Sequence, residues 1–218
     1  MWPPGRVGFH FGPVLDDLKR FLLPEKPPWV FLLGALVATI VTASPSLQAA
    51  WVYDRSLVAR GEVWRVWTGH LVHFGWPHLV ADGGLFLILG RLLERPFPWQ
   101  SYGSLLGMPV AIVIALSWGD PGLLRYGGLS GVDFGLLVFL ALQGWQKNWV
   151  DWFWPAVLAI YVGEVVLEAT VGGGTGGGMI RFNDPTIRVA TMAHVGGGLV
   201  GAALGLWRIA RRRPARAD

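Results

Sequence analysis

The sequence predicts an all-α membrane protein, built as a bundle of six transmembrane helices. Of its 218 residues, 53% are hydrophobic and only 15% are charged, whereas a soluble domain carries about a quarter charged residues. The mean hydropathy is +0.46, and apolar blocks of the length that crosses a bilayer recur along the chain. An ordinary water-soluble globule is therefore disfavoured before any motif is considered.

The six apolar blocks follow one another through short loops, apart from two longer connections. We therefore divide the chain into an N-terminal segment 1–27, a membrane domain 28–207 and a basic tail 208–218. The first block comes after a charged segment, too late for a cleavable signal peptide, so we expect it to be retained as a helix. The blocks are Pro28–Ala50, Pro77–Leu93, Ser101–Trp118, Leu129–Trp145, Val150–Val171 and Val189–Trp207.

Lysine and arginine set the expected orientation. Most of the 18 basic residues fall in the two tails and in the turns that an even number of spans places on the same side. Cytoplasmic loops carry the excess of basic residues in membrane proteins, so we expect an inner-membrane protein with both termini in the cytoplasm. The arginines between Arg208 and Arg216 also resemble a nuclear or nucleic-acid signal. A basic stop after an apolar helix is the simpler interpretation, and no nucleic-acid partner is expected.

The two longer connections differ in composition. Segment Ser46–Trp76 mixes Trp and Tyr with charged residues, which is typical of a structure lying half in the outer membrane interface. Segment Gly172–Gly178 is glycine except for Thr175. It has no side chains to pack, and is therefore either a flexible lid or a linker.

Polar residues within apolar blocks are functional candidates because burying them costs free energy. His78 and Asp82 lie four residues apart and share one face of the second block, which predicts a polar pocket. Ser130 stands at the mouth of the fourth block between glycines, and is either a helix N-cap or a nucleophile. Because the chain has no cysteine, covalent chemistry requires Ser, Thr, Lys or a carboxylate.

The sixth block offers a partner for Ser130. Small residues on one face let two membrane helices approach closely. If this face packs on the fourth block, His194 comes within reach of Ser130, about 2.6–3.2 Å in a nucleophile–base pair. The alternative is a glycine zipper that carries an incidental histidine. The residues at helical spacing on this face are His194, Gly197, Gly198, Gly201 and Gly205.

Together these residues resemble the rhomboid family of intramembrane serine proteases, over roughly Gly61 to Gly205. Asp82 and the ending Gly90–Glu94 are most similar to the rhombosortase branch, whose members are associated with trimming C-terminal glycine-rich anchors from exported bacterial proteins. The resemblance rests on the nucleophile motif Gly128-Leu129-Ser130-Gly131, the base motif Ala193-His194, the second-helix spacing of His73, His78 and Asp82, and the outer-loop pair Trp64-Arg65.

The resemblance implies a rhomboid-like six-helix bundle and a serine endopeptidase without a cofactor or a metal. Ser130 would attack the scissile carbonyl and His194 would take its proton. The Ser130 backbone N–H and His78 would hold the oxyanion, assisted by Asp82. Many rhomboids have asparagine at this position, and a carboxylate donates only when protonated, so Asp82 is expected to orient His78. Supporting positions are Gly128, Gly131, Gly197, Gly198 and Phe134, which replaces a tyrosine of many rhomboids, whereas Asp133 has no role in the pattern.

The resemblance also implies the lipid bilayer and a transmembrane or membrane-anchored protein substrate as partners, with the substrate cut in or next to a transmembrane segment. Glu164 and Glu168, one turn apart on the helix discussed as a lateral gate, would meet a basic or amine-bearing substrate segment. Alternatively, they pair with Arg181 or Arg188 or reach the interface. Two rival functions are a catalytically silent rhomboid-like protein that binds membrane segments and a small transporter. A transporter predicts paired repeats, which the sequence does not show. The sequence does not indicate an oligomeric state.

Overall fold

The computed structural model describes residues 27–147, 150, 152–171 and 190–211. Within these residues the chain is mostly helical. The helices are α1 (Trp29–Ala43), α2 (Pro45–Trp51), α3 (Arg55–Ala59), α4 (Arg65–Thr68), α5 (Trp76–Leu93), α6 (Pro98–Gly119), α7 (Ser130–Lys147), α8 (Phe153–Val171) and α9 (Thr191–Arg211), with a 3₁₀ turn at Gly69–Leu71 and two short strands, β1 (Tyr53–Asp54) and β2 (Arg125–Tyr126).

The prediction of one continuous first helix over Pro28–Ala50 is wrong in its second half. Helix α1 ends at Ala43, and α2 leaves it at an angle of 114°. Ser44 adopts an extended conformation, its side chain accepts a hydrogen bond from the Leu47 N–H, and Pro45 opens α2. A proline lacks the N–H needed to continue a helix and disfavours helical backbone in the residue before it. The apolar run therefore bends sharply. The later blocks correspond to α5–α9 with shifted ends.

By length and hydropathy, fewer than six of the described helices qualify as membrane spans. Among the described residues, α6 is the one helix both long and apolar enough to cross a membrane, and the count rises to three if the bent pairs α1–α2 and 65–93 are each one span. Part of α8, Phe153–Leu167, is a shorter apolar helix. Helices α7 and α9 are long enough but carry polar residues and many glycines in place of apolar side chains. The six-span count therefore stays a prediction.

Helices α7 and α9 pack backbone against backbone. A Cβ placed on Gly197 would overlap the carbonyl oxygen of Gly131, and one on Gly201 would overlap the carbonyl oxygen of Gly135. At the far end, a Cβ on Gly205 would lie 2.8 Å from Leu142 Cδ1. The glycine face predicted on the sixth block thus packs on the fourth block, as membrane helices with small residues do.

The segment between α1 and α5, residues 44–75, is tied to the residues that precede α7. Strand β1 pairs antiparallel with β2, with Tyr53 opposite Tyr126. The Arg55 guanidinium donates to the carbonyls of Leu116 (3.0 Å), Asp120 (3.0 Å) and Pro121 (2.9 Å) at the end of α6. These bonds satisfy carbonyls that a helix end leaves without intrahelical partners.

Arg65, the second residue of the Trp-Arg pair, holds the segment between α1 and α5 together from within. The residue is 5% exposed, and its side chain donates to the carbonyls of Ala49 (3.1 Å) and Val52 (2.8 Å). It also forms an ion pair with Glu62 at 2.7 Å. A buried guanidinium with this set of acceptors is satisfied, so Arg65 acts as a structural residue of this segment.

Candidate active site

Ser130 is the first residue of α7 and follows a tight glycine turn. Gly128 has φ of +123°, a left-handed conformation that favours glycine. A Cβ on Gly128 would lie 2.9 Å from His78 Nε2 and 3.1 Å from Asp82 Oδ2. The turn therefore needs glycine both for its backbone conformation and for the close approach of the α5 side chains to the start of α7.

Asp82 is the point where the polar side chains of α5 meet α7. His78 and Asp82 are both buried, on the shared face that their spacing predicted, and His78 Nε2 lies 3.1 Å from Asp82 Oδ2. The same Asp82 oxygen accepts a hydrogen bond from the Ser130 backbone N–H at 3.1 Å. A carboxylate here also suits the positive end of the α7 helix dipole. Asp82 thus links the polar pocket of α5 to Ser130.

His194 lies in the first turn of α9, beside the start of α7. A Cβ on Gly131 would lie 3.0 Å from the carbonyl oxygen of Ala193, so the residue after Ser130 contacts the residue before His194. Ser130 and His194 are both half-buried, whereas Ala193 and Gly131 are buried. The packing therefore places the proposed nucleophile and base at neighbouring positions at one end of the helix pair.

Phe134 lies against the proposed base. Its ring centroid is 5.9 Å from that of His194 and 4.9 Å from that of Tyr161 on α8. A Cβ on Gly198 would lie 2.6 Å from Phe134 Cε1, so this glycine makes room for the ring. Phe134 thus packs on the His194 ring and connects α7, α8 and α9.

His73, His78 and Asp82 bring ligand-type atoms within 4.8 Å of one another, which is a candidate metal geometry. The Phe74 backbone N–H, however, donates to His78 Nδ1 at 3.4 Å. An imidazole that accepts at Nδ1 carries its proton on Nε2, whereas a metal-binding histidine usually donates from its second nitrogen. The arrangement around His78 therefore favours hydrogen bonding to Asp82 over metal ligation.

Tyr126 is a buried residue that contributes to this site without having been assigned a role from the sequence. The Tyr126 hydroxyl donates to the Gly128 carbonyl at 3.0 Å, and its ring packs edge-on against His70 at 5.1 Å. Burial raises the pKa of Tyr126 above its usual value. The phenol is therefore a stable donor that fixes the turn before Ser130. The sequence signal for this role is the position of Tyr126, two residues before Gly128 in the motif around Ser130.

The remaining candidate residues have different outcomes. Asp133 is 1% exposed, and neither of its carboxyl oxygens has a hydrogen-bond partner among the described residues. Glu164 is half-buried on α8, one turn after Tyr161. Several other candidates lie outside the described residues: the side chain of Glu168, the suggested partners Arg181 and Arg188, residues 1–26, segment Gly172–Gly178 and residues 212–218.

The fold and the site define a helical membrane protein whose polar centre joins α5, α7 and α9. Residues 60–211 match the family model of the Rhomboid domain. The protein named RHOMBOID-like protein 5 of Arabidopsis thaliana is 30% identical over 165 residues, which cover 74% of this chain and 49% of the relative. The chain thus spans about half the length of this curated relative. It belongs to the rhomboid family and is accordingly an integral membrane protein.

Proposed function

We propose that this chain is an intramembrane serine endopeptidase that uses a dyad of Ser130 and His194. The observation that carries the proposal is the contact between Gly131 and Ala193, where a Cβ would lie 3.0 Å from the facing carbonyl. This contact supports the proposal because the start of α7 carries the nucleophile motif and the start of α9 carries the base motif. His194 would take the proton of the Ser130 hydroxyl during attack and return it to the leaving amine.

The oxyanion would be bound by the Ser130 backbone N–H and by His78 Nε2–H. Both nitrogens lie 3.1 Å from one oxygen of Asp82, so they already converge on a negatively charged oxygen. Preorganised donors of this kind are usually the largest single contribution to acyl-transfer catalysis, and each is worth about 10²–10³ in rate. Asp82 would keep His78 in its donating tautomer and would yield both donors to the substrate.

The substrate would be a transmembrane or membrane-anchored protein, and the rhombosortase likeness favours a C-terminal glycine-rich anchor. That likeness rests on Asp82 and on the ending Gly90–Glu94. Part of this ending is structural: a Cβ on Gly90 would lie 2.5 Å from Phe31 Cβ, and Glu94 accepts from the Val30 N–H at 3.4 Å. Residues at this end of α5 support the bundle, and Asp82 remains the part of the likeness that lies at the site.

A catalytically silent protein that binds membrane segments is the second candidate. The observation that favours it is the carboxylate of Asp82 on the Ser130 N–H, because a fixed anion at the oxyanion donors opposes a second negative charge. The two functions differ in whether a bound membrane segment is cut.

Cleavage by the full chain in liposomes tests the proposal. A single-span reporter with a glycine-rich C-terminal anchor is reconstituted with wild type, Ser130→Ala or His194→Ala, and the products are followed by mass spectrometry. We expect wild type to cut and both variants to lose at least about 10³-fold in rate. Ser117→Ala is the matched control, because the Ser117 hydroxyl donates to Val113 of its own helix at 2.7 Å. Cleavage that survives in Ser130→Ala contradicts the dyad, and binding without cleavage in wild type supports the silent alternative.

Glu164 and Glu168 would select substrates with a basic or amine-bearing segment near the bilayer surface. Glu164 lies on α8 one turn from Tyr161, which packs on Phe134 at 4.9 Å, so this helix adjoins the site. Changing both residues to glutamine should lower cleavage of a reporter with a lysine beside the scissile bond. Labelling of Ser130 by a small serine-directed probe should be retained. Equal loss of both activities would contradict a role in substrate selection.

A further inference from the structure

Three nitrogens converge on a single carboxylate oxygen beside Ser130. Asp82 Oδ2 lies 3.1 Å from the Ser130 backbone nitrogen, 3.1 Å from His78 Nε2 and 3.4 Å from His73 Nε2. The first two nitrogens are the oxyanion donors of the proposed function. In the absence of substrate, both donors are therefore engaged by an internal anion.

Transfer of these donors to a substrate oxyanion creates a problem for Asp82. The residue is 5% exposed, so water does not replace the hydrogen bonds that it gives up. A buried charged acceptor left without partners is strongly disfavoured, and the new oxyanion beside it adds like-charge repulsion. Catalysis at this site therefore requires another donor that can serve Asp82 while Ser130 and His78 serve the substrate.

His73 has the properties of that donor. It is 0% exposed, and its ring meets that of His78 edge-on with centroids 4.9 Å apart. Neither ring nitrogen has a hydrogen-bond partner among the described residues, although Nε2 is 3.4 Å from Asp82. A shift of a few tenths of an ångström would bring Nε2 to ordinary hydrogen-bond distance. His73 is thus a reserve donor next to the oxygen that needs one.

The loop that carries His73 is anchored on both sides, which keeps the ring in place. A Cβ on Gly127 would lie 2.8 Å from the Val72 carbonyl oxygen, and the Phe74 N–H donates to His78 at 3.4 Å. The neighbouring buried histidine, His70, is directed elsewhere, because its Nδ1 lies 3.5 Å from the Tyr126 hydroxyl. Of these two buried histidines, His73 is therefore the one that faces Asp82.

We propose that His73 is a positioning residue that donates a hydrogen bond to Asp82 when the Ser130 N–H and His78 turn to the oxyanion. This role rests on the proposed function. It is distinct from the role of the dyad, since the contacts of His73 are with Asp82 and the ring of His78. Its effect depends on the negative charge at position 82, and that dependence separates it from a role in packing.

The test measures kcat and KM of the full chain in liposomes, with the single-span reporter, for three His73 variants. His73→Ala should lower kcat by roughly tenfold or more while KM changes less than about twofold. His73→Gln should restore most of the rate, because the glutamine amide reaches the place of Nε2. His73→Asn, whose amide reaches only the place of Nδ1, should not. Ser117→Ala, whose hydroxyl donates to Val113 of its own helix, is the control and should leave kcat within about threefold of wild type.

The same variants are then measured with Asp82→Asn, which removes the charge that His73 serves. The effect of His73→Ala should shrink to within about twofold in this background, as a coupled pair requires. Three results would overturn the proposal. The first is an equal loss of kcat from His73→Ala in both backgrounds, and the second is a kcat restored by His73→Asn as well as by His73→Gln. The third is a kcat of Asp82→Asn that is lower than wild type by more than about a hundredfold. Thermal unfolding of each variant in detergent must match wild type, and a kcat loss that tracks a lowered melting temperature also overturns it.

Failure of this inference is distinguishable from failure of the proposed function. If Ser130→Ala is inactive and His73→Ala cuts as wild type does, only the role of His73 falls. If cleavage survives in Ser130→Ala, the serine dyad falls, and the His73 role falls with it.

Discussion

Gly135→Ala tests whether the site depends on direct backbone contact between α7 and α9. A Cβ at this position would lie 2.5 Å from the Gly197 carbonyl oxygen and 2.7 Å from both Met108 Cε and Met108 Sδ. The methionine is flexible and can move, but the carbonyl belongs to the backbone of α9. Ordinary van der Waals contact begins at 3.4 Å, so the helices must separate locally by about 0.9 Å.

The expected cost follows from that separation. Overpacking of this size costs about 1–3 kcal/mol, and alanine returns up to about 1 kcal/mol through its higher helix propensity. We therefore expect a net destabilisation of about 1–2 kcal/mol. The loss in kcat/KM should be larger, because a displacement of about 1 Å between reacting groups can cost roughly a hundredfold.

The assay compares cleavage of the single-span reporter with thermal unfolding in detergent. Gly107→Ala is the matched control, since a Cβ there meets nothing within 4 Å and the residue lies in the middle of α6. We expect the control to cleave as wild type does and to melt at the same temperature or higher. Wild-type cleavage and melting in Gly135→Ala, or an equal loss in Gly107→Ala, would refute the packing argument.

Three further predictions concern the surroundings of the site. Phe134→Leu removes the ring that packs on His194 at 5.9 Å and should lower kcat several-fold with little change in KM; an unchanged kcat would show that the ring does not position the base. Arg55→Ala removes three hydrogen bonds to the end of α6 and should lower the unfolding free energy by about 1–3 kcal/mol. The control Arg60→Ala changes an exposed arginine and should leave the unfolding free energy unchanged. Equal stability of the two variants would contradict this prediction. The hydrogen bond from the Ser56 side chain, followed by those from Leu57 and Arg125, lowers the pKa of Asp54 from 3.8 to about 2. Because the folded-state pKa is depressed, the stabilisation is present above about pH 4 and is lost as the pH falls toward 2. Asp54→Asn should therefore be less stable than wild type by on the order of 1 kcal/mol at neutral pH and should match it near pH 2. A stability difference that does not change with pH would contradict the assignment.

The sequence was informative where local composition decides the structure. Apolar runs located α5–α9, because any uninterrupted run of that length must be buried in lipid or protein. The glycine face of α9 was visible as a helical period, and α7 carries the matching pair Gly131 and Gly135 one turn apart. The bend after Ala43 was missed because hydropathy averages over a window, although Ser44-Pro45 is a local signal for it.

The connections of the site were predictable only in part, because they join distant segments. Spacing placed His78 and Asp82 on one helix face, but the hydrogen bond from Ser130 to Asp82 spans 48 positions in sequence. It depends on how α5 approaches the start of α7, which no single helix determines. For the same reason, His73 was recognisable in the motif while its position beside the Asp82 oxygen was not.

Asp82 can be reconciled with catalysis through the exchange of one anion for another. Its oxygen lies 3.1 Å from both proposed oxyanion donors, at the positive end of the α7 dipole. In the absence of substrate, the carboxylate keeps these donors directed at one point, which is what preorganisation requires. When an oxyanion forms, the donors bind it in place of the Asp82 oxygen. This exchange leaves Asp82 buried without these two donors, and the coupling between His73 and Asp82 measures whether His73 offsets that cost.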